Sequence, residues 1–159
     1  LDLSGIAKGY IVDQVVGILK NEFPSFSGSV NAGGDLRFFN TPLATRVAEI
    51  RLFGMPPRLK PLQLSHEALA TSSFTESLHN PDSSTEYTDS PRPGLERDFT
   101  VSVQAPTCAV ADALTKVGWF ASRDVANRCA EKFQSQILIF NSQGELRDCL
   151  GTNETSTPT

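Results

Sequence analysis

What this chain has little of narrows its possibilities first. Its 159 residues include only three cysteines, Cys108, Cys129 and Cys149, about twenty residues apart and with no C-x-x-C pair. An odd number at such spacing excludes a disulfide framework and a cysteine zinc site, and predicts buried free thiols. No run of 18 apolar residues exists, so no segment reads as a membrane-spanning helix. Basic residues are not in excess: 14 Lys and Arg stand against 18 Asp and Glu, a net charge of -4. With a pI of about 5.1, that balance argues against a nucleic-acid or anionic-membrane surface. The chain opens on Leu1 in a strand-like run, with no initiator Met and no signal peptide. It therefore reads as a fragment or processed piece whose compartment its N-terminus does not reveal. No repeat is visible, and the length suits one domain with a real core.

What is present is organised around the first thirteen residues. Leu1 to Leu3 read as the end of a strand, and Ser4 to Gly9 as a turn of small residues. Ile11, Val12, Val15, Val16 and Leu19 then recur at helical spacing, predicting a helix from about Ala7 to Lys20. Small residues let a ligand approach the backbone, a helix start offers unpaired N–H groups, and Lys8 adds a cation. The combination suits a phosphate. The alternative is a turn whose glycines serve only packing.

Val30 to Phe39 reads as two strand pieces broken at Gly33-Gly34, a bulge or a close approach, with Asp35 directly after it. The alternative is a tight hairpin turn capped by Asp35. Strands are predicted at Arg46–Phe53, Leu62–Leu64, Glu67–Ser73 and Phe99–Gln104. Thr75 to Arg97, rich in Ser, Thr, Asp and Pro, reads as an irregular loop. Thr107 is a candidate N-cap for a helix over Cys108–Phe120 with Val110, Ala113, Leu114 and Val117 on its core face. Ser122 caps a further helix to Phe133, with Val125, Cys129 and Phe133 stacked at spacing four. A closing hairpin joins Ile137–Phe140 to Glu145–Cys149. These elements predict an α+β domain over residues 1–150 with a largely antiparallel sheet flanked by helices. Residues 151–159 form a polar tail expected to be disordered.

Four stretches, in order, resemble the FAD:protein FMN transferases, the ApbE-type flavin transferases. Leu1 to Tyr10 (LDLSGIAKGY) looks like the family's DLGGIAKGYAVD segment, and Val30 to Arg37 (VNAGGDLR) like its VNxGGDIR strand. Ala68 to Ser73 (ALATSS) resembles ALATSG, and Ala105-Pro106 through Ala111-Asp112-Ala113-Leu114 resembles APxxxxADALST. Each is weak alone; together they are specific. The resemblance covers about Leu1 to Phe140, the C-terminal half of a typical member, so the N-terminal half of the fold, with part of the flavin and adenine pocket, is expected to be absent.

The resemblance implies transfer of FMN from FAD to a hydroxyl of a target protein, with AMP leaving. It places FAD against Lys8, Asn31, Gly33, Gly34, Asp35, Thr71 and Ser72. It implies a magnesium ion held by an Asp, a Thr and an Ala carbonyl, which fall here on Asp112, residue 116 and Ala7. Magnesium suits such chemistry because it neutralises phosphoryl oxygens and prefers oxygen ligands. Residue 116, however, is Lys, whose ammonium cannot ligate magnesium. It can pair with Asp112 at i, i+4 or neutralise phosphate directly, and Thr115 is a replacement ligand. The family's HIIDPRTG loop is matched only in part, by Ser77-Leu78-His79-Asn80-Pro81 and by Asp89 to Gly94. His79 is the candidate catalytic base there. His66 matches no motif and reads as a surface residue. Ser73 replaces the last Gly of ALATSG. Three functions remain in view: a metal-assisted flavin transferase, a degenerate relative that binds FAD or FMN and transfers nothing, and a scaffold half without ligand affinity of its own. The intact GIAKG and GGD stretches favour the first two. By family the compartment is the bacterial periplasm, a membrane-anchored lipoprotein or the cytoplasm.

Overall fold

A computed structural model describes residues 4–52, 58–74 and 99–151. Helix α1 spans Ser4–Glu22, and strands β1 (Gly28–Ala32) and β2 (Asp35–Phe39) follow. A short 3-10 turn leads to β3 (Val47–Leu52), β4 (Arg58–Gln63), β5 (Ala68–Phe74) and β6 (Phe99–Ala105). Helices α2 (Cys108–Phe120) and α3 (Arg123–Lys132) precede β7 (Gln136–Asn141) and β8 (Leu146–Leu150). Six strands form one sheet in the order β1-β2-β5-β6-β7-β8, while β3 and β4 pair as a separate hairpin. Every strand pairing among the described residues is antiparallel. The fold is α+β, with a largely antiparallel sheet flanked by helices.

Strand alternation sorts the sheet into two faces. On one face Ala70, Val101, Val103, Ile137 and Ile139 are buried against Ala111 and Leu114 of α2 and Ala126 and Ala130 of α3. On the other, Leu36, Leu69, Leu138 and Phe140 meet Ile50, Leu52 and Leu64 from the hairpin side. The layers are therefore helices, sheet and hairpin. β6 lies centrally and is buried along its whole length. Its hairpin-side residues Thr100, Ser102 and Gln104 are polar yet buried. Ser102 Oγ meets Thr71 Oγ1 at 3.0 Å, and Gln104 accepts from the Ser65 N–H at 2.7 Å. Paired in this way, they avoid the cost of an unsatisfied buried group.

Several elements differ from the sequence expectation. Ser4 to Gly9 is the first part of α1, not a turn. Of the apolar side chains described on α1 only Val12 and Val16 are buried; Ile11 and Ile18 face outward. β4 begins at Arg58 and runs through Pro61, which an edge strand tolerates because the outer side needs no N–H. On α2 the buried set includes Ala111, Asp112, Leu114, Thr115 and Gly118, with Ala113 and the valines half-buried. α2 packs on the sheet and on α1 together, so its buried surface spreads beyond one apolar stripe. α3 buries Ala126 and Ala130, leaving Val125 and Phe133 largely exposed, because small side chains let it lie close to the sheet. Thr107 and Ser122 do cap their helices, accepting from the Val110 and Val125 N–H groups at 3.4 Å. The cysteines are free: Cys108 is buried and Cys129 and Cys149 are half-buried. His66 is half-buried rather than on the surface. The Leu1–Leu3 strand, the Thr75–Arg97 loop and the tail from residue 152 lie outside the described residues.

Candidate functional site

The crossing of α1 and α2 builds the charged end of the molecule. Gly9 sits at the crossing, where an added Cβ would collide with the Cys108 carbonyl. Its N–H donates to Asp112 Oδ2 at 3.2 Å. The glycine of this stretch thus admits a neighbouring helix rather than a ligand. Asp13, one turn further along α1, accepts from the Cys108 and Ala109 N–H groups at 2.9 Å each and so caps α2. Asp13 was not singled out in the sequence, and its signal, an isolated acid among apolar helix positions, is weak.

Around Gly9 two carboxylates and two ammonium groups gather. Lys8 Nζ lies 3.1 Å from Asp35 Oδ2, and Asp35 is buried while Lys8 is half-exposed. Beyond this ion pair no hydrogen bond reaches Oδ2. Burial pushes the Asp35 carboxyl above its ordinary range, the nearby Asp112 charge adds to that, and Lys8 opposes it. Lys116 Nζ lies 4.0 Å from Asp112 Oδ1, and it donates to Ser72 Oγ at 3.1 Å and Thr115 Oγ1 at 3.2 Å. The Trp119 ring lies 5.0 Å from the same ammonium, at the i, i+3 position that sequence reading overlooked. Burial lowers the Lys116 ammonium, against the pull of Asp112. Ser72 Oγ and Thr115 Oγ1 are 3.2 Å apart, and Thr115 also donates to the Asp112 carbonyl at 2.7 Å.

Asn31, Gly33, Gly34 and Thr71 stand elsewhere. Gly33 and Gly34 form the two-residue turn joining β1 to β2, with φ of 64° and 101°, a conformation that favours glycine at both positions. Asn31 Oδ1 accepts from the Gly34 N–H at 3.1 Å, so Asn31 braces the turn, the role expected of Asp35. Nothing lies within 4 Å of where a Gly33 Cβ would be, leaving open space over the turn. Beside it, on the hairpin side of the sheet, a cavity of about 770 Å³ is lined by Asn31, Gly33, Gly34, Ile50, Leu69 and Thr71. Its volume falls in the range of small-molecule sites. No sequence motif pointed to the contribution of β3, whose side chains reach the cavity only through tertiary packing.

The expected site residues thus fall into two sets. Lys8, Asp35, Ser72, Asp112 and Thr115 meet on the helix side of the sheet, and Asn31, Gly33, Gly34 and Thr71 line the cavity on the hairpin side. The Gly34 carbonyl, accepting from the Thr71 N–H at 3.2 Å, lies at the junction. Ala7 is an exposed residue inside α1, where a carbonyl is normally committed to the N–H four residues on. His79 lies outside the described residues.

The donors present do not fit magnesium. Asp112 has Oδ2 taken by the Gly9 N–H and offers only Oδ1, Thr115 Oγ1 is taken by its own turn and by Lys116, and the Lys116 ammonium 4.0 Å from Oδ1 would repel a dication.

The sequence profile of the ApbE family matches residues 1–140. No curated protein matches the chain. Among solved structures it resembles the flavin transferase ApbE from Vibrio cholerae, at 19% identity and a TM-score of 0.58, over 94% of this chain and 49% of that one. It also resembles the ApbE protein from Thermotoga maritima, at 19% identity and a TM-score of 0.57, over 92% of this chain and 50% of that one. For the flavinyl transferase ApbE of Pseudomonas stutzeri the values are 19% and 0.55, over 96% and 52%. The chain spans about half the length of these structures. At such identity they show a shared fold, and the match over residues 1–140 shows the family. This chain belongs to the ApbE family.

Proposed function

We propose that this chain serves flavin transfer, in which the FMN part of FAD passes to a hydroxyl side chain of a target protein and AMP leaves. The hydroxyl oxygen bonds to the FMN phosphorus as the bond to the bridging oxygen breaks. AMP departs with that oxygen, and a base accepts the hydroxyl proton. His79 is the residue proposed for that base. The observation that carries the proposal is the convergence of Lys8, Asp35, Asp112 and Lys116 beside the Gly33-Gly34 turn, in a chain of this family. Two lysine ammonium groups at one end of the sheet suit the pyrophosphate, and the cavity across the Gly34–Thr71 junction has the volume of a small-molecule site. Positioning and charge neutralisation are what phosphoryl transfer asks of a protein. Because the residues do not fit magnesium, no step is assigned to it.

A second reading, a relative that holds FAD or FMN without transferring it, is favoured by one observation: Lys116 fills the place a metal ligand would take. One experiment separates the two. The full-length protein is incubated with FAD and a hydroxyl-bearing acceptor protein, and covalent flavin is followed by in-gel fluorescence together with AMP release. Fluorescent acceptor with matching AMP supports transfer. Saturable quenching of FAD fluorescence without either product supports the binding reading, and absence of FAD binding defeats both.

A further inference from the structure

The Lys116 ammonium is held in an unusual way for a lysine beside an acid. It reaches Asp112 Oδ1 only at 4.0 Å, beyond a hydrogen bond, and instead donates to two neutral hydroxyls, Ser72 Oγ and Thr115 Oγ1. Its positive charge is offset only through space, by Asp112 and Asp35, and its hydrogen bonds go to hydroxyls rather than to a carboxylate. An ammonium has three N–H donors, so a third remains for a further acceptor. The Trp119 ring and the neighbouring hydroxyls restrict the head group, and its side chain keeps 38% of its surface open to solvent. Gly5 of α1 packs on the Lys116 methylenes, at 3.4 Å from where its Cβ would be, which fixes the stem as well. Nearby, Asp35 is buried to 1% exposure with Oδ2 met only by Lys8. An anion that enters meets two ammonium groups already held in place, and the two carboxylates set against them temper the attraction.

We infer that Lys116 is a tethered replacement for the divalent cation, so that the site takes a pyrophosphate group through Lys8 and Lys116 without metal. The inference rests on the flavin reading for its natural ligand but not for its chemistry. A chain-borne cation is bound at every metal concentration and cannot be chelated away. It carries one charge where magnesium carries two, which favours holding a pyrophosphate over stabilising a fully developed leaving group.

The test uses the full-length protein, inorganic pyrophosphate, FAD and manganese as a paramagnetic stand-in for magnesium. In EDTA, pyrophosphate raises the Tm of the wild type, and FAD binds with a Kd that magnesium changes by no more than about twofold. Lys116→Met in EDTA loses about tenfold or more in affinity for both ligands. Manganese titration followed by electron paramagnetic resonance shows no site in the wild type and a new one in Lys116→Thr. A manganese site in the wild type, tighter FAD binding by about tenfold with magnesium, or wild-type affinity in Lys116→Met each overturns the inference. The manganese measurement on the wild type does not depend on any variant folding. The flavin reading fails separately: if pyrophosphate binds in EDTA and FAD does not, the tethered cation stands and the flavin falls. If FAD binds only with magnesium, the flavin stands and the tethered cation falls. If neither binds under any condition, both fall.

Discussion

Two charged clusters lie along α1, and they are built on different terms. In the one further along the helix, Arg37 donates to Asp13 at 2.7 Å and to Glu67 at 3.0 Å, and Lys20 adds a second donor to Glu67 at 3.1 Å. Asp13 is occupied at the same time by the N-terminus of α2. Only Arg37 Nε lacks a partner there. In the cluster at the start of α1, Asp35 Oδ2 has Lys8 alone, and Lys116 leans on hydroxyls with Asp112 out of hydrogen-bond reach. The first cluster uses nearly all its hydrogen-bonding capacity to join α1, α2 and β2. The second holds some in reserve. Charged groups of the same types thus make a scaffold in one place and a candidate ligand site in the other, and the difference is polar satisfaction.

The largest test of that contrast is to delete one cation from each cluster. Arg37→Met takes from Asp13 and Glu67 the cation they share in a mostly buried setting, and is expected to cost about 3 kcal/mol in urea unfolding. Lys8→Met leaves the buried Asp35 without its cation, but that carboxyl, already pushed upward by burial, can take up a proton, so the cost is expected to be smaller, about 1–2 kcal/mol, while FAD binding weakens. Equal losses of stability would erase the distinction. Next comes the helix crossing that places Asp112. Gly9→Ala forces α1 away from the Cys108 carbonyl and is expected to destabilise by about 1–3 kcal/mol. Gly17→Ala, on the same helix with nothing within 4 Å, is expected to stabilise by about 0.5–1 kcal/mol. If both substitutions moved stability in the same direction, close packing would not be the reason for Gly9.

The smallest effect is the pH dependence of stability, where the clusters should differ in sign. Burial raises the Asp35 carboxyl above its ordinary 3.8, so its contribution is present below that value and is lost as pH rises through the higher folded value. At Glu67 burial also pushes upward, but hydrogen bonds from Lys20 and Arg37 outweigh it and hold the carboxyl below its ordinary 4.5. Its contribution is present above that value and is lost as pH falls through the lower folded value. Asp35→Asn should therefore flatten a decline in stability on raising the pH from about 4, and Glu67→Gln a decline on lowering it from about 5. Urea midpoints measured across the acid range check both slopes.

Much of the framework was legible from residues alone. Helix α2 runs from Cys108 to Phe120 as its Thr107 cap and spacing implied, whereas the paired glycines, read first as a bulge or close approach, form the two-residue turn of the alternative reading, both with positive φ. The buried faces were less legible. Val125 and Phe133 drew attention on α3, yet Ala126 and Ala130 are buried, since hydrophobic size says little about how closely a helix can approach a sheet. Among the site residues, local pattern singled out Lys8 and Asp35 and the family resemblance added Asp112, but neither separated them from Asn31, Gly33, Gly34 and Thr71. That division follows from the sheet lying between the two sets.

The opening segment shows where the boundary falls. By itself the sequence determined the residue types, the helical period after Gly9, and the presence of a lysine at position 116, four residues after Asp112. These are local properties, carried by neighbouring side chains and backbone preferences. Tertiary structure alone decided that Gly9 admits α2 rather than a ligand, that Asp13 caps a helix nearly a hundred residues away, and that the Lys116 ammonium rests between Ser72 and Thr115. Those outcomes depend on how close distant segments are brought, and hydrogen bonds and steric contacts act over only a few ångströms.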